Sequence, residues 1–168
     1  MLQLEKASAG HIALVRLERT DGEALRRLFY RLSPETIYRR FLSPLARPDQ
    51  TRPERLLDID HCDREAVAAV VDGEIVGVAG YFRQPSQAGA EIAVVVADAW
   101  QGQGMGTRML ARLAALARAV GIERFTVTMQ ADNRAAIRLL RRFDSEARLV
   151  HSHGIYEAVI PLSPEAEQ

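Results

Sequence analysis

Apolar positions change their spacing several times along the chain, and each change marks an element. Ile12 to Leu17 is a short apolar-rich stretch that predicts a first strand. Thr20-Asp21 supplies an N-cap signal before Gly22 to Leu32, where Leu25, Leu28, Phe29 and Leu32 recur at helical spacing. Ser33 then caps a second short helix, with Pro34 at its first position and Ile37, Tyr38, Phe41 and Leu42 on its apolar face. Ser43 to Pro53 carries three prolines and reads as a loop.

Period two follows. Glu65 to Val71 and Gly73 to Phe82 are β-rich runs joined through Val71-Asp72-Gly73, and Asp-Gly between apolar runs is a strong hairpin signal. After a turn over Arg83 to Gly89, Glu91 to Ala97 is a continuous apolar run behind one carboxylate, which predicts a central strand buried on both faces. Thr107 to Val120 is an amphipathic helix with Leu110, Leu113, Leu116, Ala117 and Val120 inward, ended by Gly121. Glu123 to Met129 predicts a strand. Asn133 caps a helix running to about Phe143, and Arg148 to Val150 and Ile155 to Leu162 close the fold around a His-Ser-His-Gly turn. The tail after Pro161 is polar and should fray. The order β, α, α, three antiparallel strands, α, β, α, β, β predicts a mixed α/β (α+β) single domain over 1–168, with its core at about 11–162.

Composition narrows the partners. The chain has 168 residues, 48% of them apolar, and a formal net charge of zero, which suits one globular domain and argues against a nucleic-acid partner. No apolar run reaches the roughly 18 residues of a membrane span, and Met1 to Gly10 lacks the apolar core of a signal peptide. Cys62 is the only cysteine, so no internal disulfide forms, which fits a cytoplasmic location.

The chemistry concentrates in Gln101-Gly102-Gln103-Gly104-Met105-Gly106-Thr107, between the apolar run and a helix. Three glycines at alternate positions leave backbone N–H groups open to converge on a phosphate, and the helix adds its positive N-terminal end. The loop has no lysine, which excludes a Walker loop. The residue three after Gly104 is Thr107, and the preceding strands read as hairpins, so a dinucleotide fingerprint also fails.

Ala97-Asp98-Ala99-Trp100-Gln101-Gly102-Gln103-Gly104-Met105-Gly106-Thr107 resembles the Gln/Arg-x-x-Gly-x-Gly/Ala signature of the GNAT superfamily of N-acetyltransferases. The resemblance runs from about His11 to Leu162, because the order of elements fits as well. Ser33-Pro34-Glu35-Thr36-Ile37-Tyr38-Arg39-Arg40-Phe41 further resembles acetyltransferase domains attached to, or acting on, acyl-CoA synthetases, a subfamily that modifies protein lysines. The resemblance implies a mixed, mostly antiparallel central sheet of about six to seven strands flanked by about four helices. It implies acetyl-CoA as acyl donor, with its pyrophosphate on Gln101, Gly102, Gln103, Gly104, Met105, Gly106 and Thr107. The pantetheine arm would pair with the strand edge at Val94, Val95 and Val96, and Asn133 would contact the same arm. A bulge in that strand would splay it from the next and open the slot.

A lysine-type amine has a pKa of about 10.4, so a base must take its proton. Glu91 is the candidate: a carboxylate among apolar neighbours resists ionisation, and it matches the position of the catalytic glutamate in the lysine-acetylating subfamily. Many relatives protonate the leaving thiolate from a tyrosine seven residues after the asparagine, but that position is Leu140 here. Tyr156, Tyr81 and Cys62 remain as alternatives. His61 beside Cys62 suggests a nucleophilic pair only if both share a face, which neighbours on a strand do not. His151 and His153 lack a third metal ligand nearby. Arg138, Arg141 and Arg142 form a basic helix face. The expected activity is acetyl transfer to a primary amine, a protein lysine first, on a partner such as an acyl-CoA synthetase, by a monomer or homodimer. A small amine or N-terminus as acceptor, and a non-catalytic acyl-CoA sensor, are the alternatives.

Overall fold

A computed structural model describes residues 11–41 and 57–162. The expected loop over Ser43 to Pro53, the apolar role of Leu42 and the fraying tail lie outside them, as does the side chain of Phe41.

The elements follow the predicted order. Strand β1 (Ala13–Arg16) leads through a 3₁₀ turn (Arg19–Asp21) into α1 (Gly22–Tyr30) and α2 (Pro34–Phe41). Strands β2 (Arg64–Val71), β3 (Glu74–Phe82) and β4 (Gly89–Val96) form a meander. Helix α3 (Met105–Ala119), β5 (Arg124–Gln130), α4 (Arg134–Phe143), β6 (Arg148–Ser152) and β7 (Ile155–Pro161) complete the chain. One seven-stranded sheet results, ordered β1-β2-β3-β4-β5-β7-β6. Among the described strands only β4 and β5 pair in parallel, across the α3 connection. The sheet is therefore mixed and mostly antiparallel, and the described residues add four α-helices to it.

Local chemistry explains the boundaries. Asp72 and Gly73 both adopt positive φ, 49° and 78°, as the twist of a two-residue hairpin requires. Beside that turn Ala69 pairs with Gly77 and Val70 with Ile75, so Val76 is an extra residue in β3. Ser33 caps α2, its hydroxyl accepting the Thr36 N–H at 3.2 Å. Asp21 behaves differently from expectation. Its carboxylate turns back to accept the Glu18 N–H at 2.8 Å and does not cap α1. The tight 3₁₀ turn before α1 brings Glu18 nearer than the helix's own N–H groups.

Two apolar clusters sandwich the sheet. Alternate residues of β4 divide between them: Ala90 and Ile92 join Met109, Leu110, Leu113 and Leu140 under α3 and α4, whereas Val95 joins Leu25, Leu28, Phe29 and Ile37 under α1 and α2. Helix α3 turns a somewhat different face inward than predicted. Met105, Met109 and Ala114 are buried, whereas Leu116 and Val120 are only half-buried.

Leu113 is fully buried on α3, against the sheet that carries β4. Leu113→Ala should lower unfolding free energy by about 2–5 kcal/mol. A urea titration would show this as a lower midpoint at unchanged slope.

Candidate functional site

The site grows from the way β4 and β5 part. Their parallel ladder contains only Gly89–Arg124, Ala90–Phe125 and Glu91–Thr126. Beyond Glu91 the two strands separate. β5 continues to Gln130 against β7, while β4 continues to Val96 against β3. The β4 edge from Ile92 to Val96 therefore faces a wedge with no strand in it. No bulge causes this. The β3–β4 register is unbroken from Phe82–Glu91 to Gly77–Val96, so the expected bulge in β4 is corrected. The strands part because each keeps pairing with its other neighbour.

At the far end of that edge lies the glycine loop. Gly102 and Gly104 hold φ of 75° and 79°, a region that L-residues with side chains rarely adopt. A Cβ at either would meet nothing within 4 Å, so the loop is uncrowded at both positions and the glycines answer to backbone conformation. The first internal bond of α3 is Arg108 N–H to Gly104 O at 3.2 Å. The N–H groups of Met105, Gly106 and Thr107 thus project from the helix end. Met105 can offer only this N–H, since its side chain is buried in the core. Gly106 lets α4 approach: a Cβ there would lie 3.1 Å from both terminal carbons of Leu139. This open cradle of unspent donors fits a pyrophosphate, and the free edge fits an extended amide-bearing arm.

Side chains around the loop fix its shape. Gln101 donates to Val96 O at 3.0 Å and to Thr36 Oγ1 at 3.2 Å, and Gln103 donates to Ala99 O at 3.1 Å. Asp98 accepts from Ser33 N–H at 2.9 Å, Ser33 Oγ at 2.7 Å and Thr36 Oγ1 at 2.8 Å. Burial acts to raise the Asp98 pKa, but these donors outweigh it and hold the carboxyl below its ordinary value. The sequence gives no hint of this contact between residues 62 and 65 positions apart.

The predicted residues sort as follows. Val94 and Val96 are half-buried and turn towards the α3 side, whereas Val95 is buried under α1 and α2. The β3–β4 register turns the backbone groups of Ile92, Val94 and Val96 to the open edge and those of Val95 to β3, and Val96 O is already held by Gln101. Asn133 caps α4, its side chain accepting the Ala136 N–H at 3.1 Å. Just before it, Asp132 faces Arg39 of α2 at 3.6 Å. Glu91 lies at the fork, in the last rung of the β4–β5 ladder. It is exposed, not set among apolar neighbours as expected. Alternation puts its side chain on the face of α1 and α2, at an end of the sheet that those helices leave uncovered. Opposite it on β3 is Phe82, 41% exposed, with Arg64 Cζ 4.9 Å from its ring centre.

The remaining candidates separate. Tyr81 is buried, its hydroxyl donates to Cys62 O at 3.1 Å, and burial together with nearby Glu65 raises its pKa well above the ordinary phenol value. That makes it a poor proton donor. Tyr156 stacks edge-on with His151 at 5.2 Å. Leu140 is buried in the core. His61 and Cys62 do not pair. His61 Nδ1 meets the buried Glu65 carboxylate at 3.0 Å, and Cys62 Sγ lies 3.5 Å from Arg83 Nη2. They sit in a turn before β2, not on a strand. His153 occupies the β6–β7 turn at φ 50°, off the strand that carries His151. Arg141 donates to Ala147 O at 2.8 Å, while Arg138 and Arg142 are exposed.

Comparison with known proteins agrees with this geometry. The family model described as Acetyltransferase (GNAT) family matches residues 29–144. An acetyltransferase of Pseudomonas aeruginosa is 33% identical over 129 residues, 74% of this chain and 69% of that protein. Acetyltransferase Pat of Mycolicibacterium smegmatis is 32% identical over 113 residues, covering 66% of this chain but only 34% of its own length. The GNAT domain of S. lividans PAT superposes with a TM-score of 0.82 at 26% identity, over 90% of this chain and 91% of that one. With a forked sheet, an open glycine cradle and these relatives, the chain belongs to the GNAT acetyltransferase family and is an acetyl-CoA-dependent N-acyltransferase.

Proposed function

We propose that the chain acetylates a primary amine, with a protein lysine as the favoured acceptor and Glu91 as the base. The observation that carries this is the position of Glu91 at the fork of β4 and β5. Glu91 and Val96 are five residue steps apart, about 17 Å of extended chain at about 3.3 Å per step. A donor whose pyrophosphate rests on Gln101 to Thr107, and whose arm follows Val96, Val95 and Val94, would bring its far end to Glu91.

Acetyl-CoA supplies an activated acyl thioester there. Glu91 takes the proton that the amine must lose, directly or through one water. Its exposure before an acceptor arrives leaves it reachable, and an acceptor docked over this face would cover it. The ring of Phe82, across the strand pair from Glu91, offers an apolar surface to the methylene stem of a lysine. The resemblance of Ser33 to Phe41 to domains that act on acyl-CoA synthetases supports an acceptor of that protein class.

Glu91→Gln should lower kcat by about 100-fold or more and leave the acetyl-CoA Kd unchanged, with CoA release measured on a lysine peptide and on acyl-CoA synthetases. Unchanged turnover would remove Glu91 as base; donor binding without turnover on any amine would make the chain an acyl-CoA sensor.

Asn133 has two roles that substitution can separate. Asn133→Asp should keep the α4 cap and the melting temperature but weaken acetyl-CoA binding. Asn133→Ala should also cost about 1 kcal/mol of stability. Wild-type affinity in the aspartate variant would leave Asn133 as a cap only.

A further inference from the structure

We infer that Asp98 is a positioning residue, which holds the glycine loop in its phosphate-binding shape by stapling it to the N-terminus of α2 through Ser33 and Thr36. The inference rests on the reading of Gln101 to Thr107 as a phosphate cradle.

The geometry is specific. Asp98 opens the short 3₁₀ turn Asp98–Trp100, which leads directly into the loop. Its two carboxylate oxygens receive three donors, all from the first turn of α2 or its cap: Ser33 N–H, Ser33 Oγ and Thr36 Oγ1. Bonds to an ionised acceptor are the stronger kind. Thr36 Oγ1 then passes the connection on, accepting from Gln101 Nε2, which also holds Val96 O. One hydroxyl thus links α2, the entry to the loop and the end of the β4 edge.

Electrostatics gives the arrangement a second purpose. An unpartnered carboxylate three residues before the loop would repel the anion that the loop must hold. Directed at the positive end of α2 and at two hydroxyls, Asp98 spends that charge on the protein. The carboxyl is held in its ionised form by those same donors against the opposing effect of burial.

The test uses two donors: acetyl-CoA, and S-acetylpantetheine, which lacks the nucleotide and its phosphates. Kd for each is measured by calorimetry, without an acceptor, so the outcome is independent of Glu91 and of lysine as acceptor. Asp98→Ala and Thr36→Val should raise the acetyl-CoA Kd by about tenfold and leave the S-acetylpantetheine Kd unchanged. Thr36→Ser keeps the hydroxyl and should bind acetyl-CoA like the wild type. Equal weakening for both donors would overturn the inference in favour of a merely structural contact, as would unchanged affinity for both. A serine variant as weak as the valine variant would also overturn it. Wild-type protein that binds the two donors equally would remove the phosphate reading of the loop, and this inference with it.

Discussion

The parting of β4 from β5 governs the site. A β-sheet normally satisfies each interior strand on both edges, and an unpaired edge inside a protein is costly unless something else bonds to it. Here β4 has partners on both sides for three rungs and then on one side only. The vacated edge is held open because β5 is committed to β7 along its whole length, from Arg124–Pro161 to Gln130–Ile155. The wedge is therefore a consequence of topology. A ligand carrying amides in an extended arm would complete the interrupted ladder, whose two ends lie at the glycine loop and at Glu91.

Keeping a forked sheet rigid requires support on both faces. The two apolar clusters supply it. The cluster under α3 and α4 includes Ala90, Ile92, Phe125 and Met129, residues from both strands of the fork. It bridges the wedge from beneath. The opposite cluster takes Val95 from β4 and Ala97 just beyond it, but no residue from β5. The fork is thus floored on one side and open on the other, which is the side that Glu91 and Phe82 face. Among the described residues, no helix covers that end of the sheet.

Much of this was legible in the chain itself. Period-two runs, the Asp72-Gly73 hairpin and the caps Ser33 and Asn133 were local signals, and each element formed near its predicted place. The glycine loop was legible for the same reason, since the positive φ of Gly102 and Gly104 is marked by the glycines themselves. The exposure of Glu91 was not legible. Apolar neighbours in sequence say nothing about which face a helix covers, and α1 and α2 stop short of that rung. The bulge in β4 was unnecessary because long-range pairing of β5 with β7 does the separating. The Asp98 contacts were hidden for a related reason: Ser33 and Thr36 had a sufficient local role in capping α2. The residues that tie distant elements together look ordinary until the fold brings them into contact.

Helix α2 touches both banks of the wedge, but unequally. On the β4 side, three short bonds converge on the Asp98 carboxylate, and Gln101 adds a fourth link. On the β5 side, among the described side chains, stands one ion pair, Arg39 with Asp132 at 3.6 Å, its carboxylate 81% exposed. The bonds on the β4 side converge on one carboxylate and reinforce one another, whereas an isolated exposed ion pair contributes about 0–1 kcal/mol. Helix α2 is therefore part of the β4 bank, and its hold on the β5 bank is the weaker one. The asymmetry suits an enzyme that must admit a long donor sideways into the wedge. The bank that carries the glycine loop has the more numerous ties to α2, and the contact that bridges the opening is a single exposed pair among the described residues.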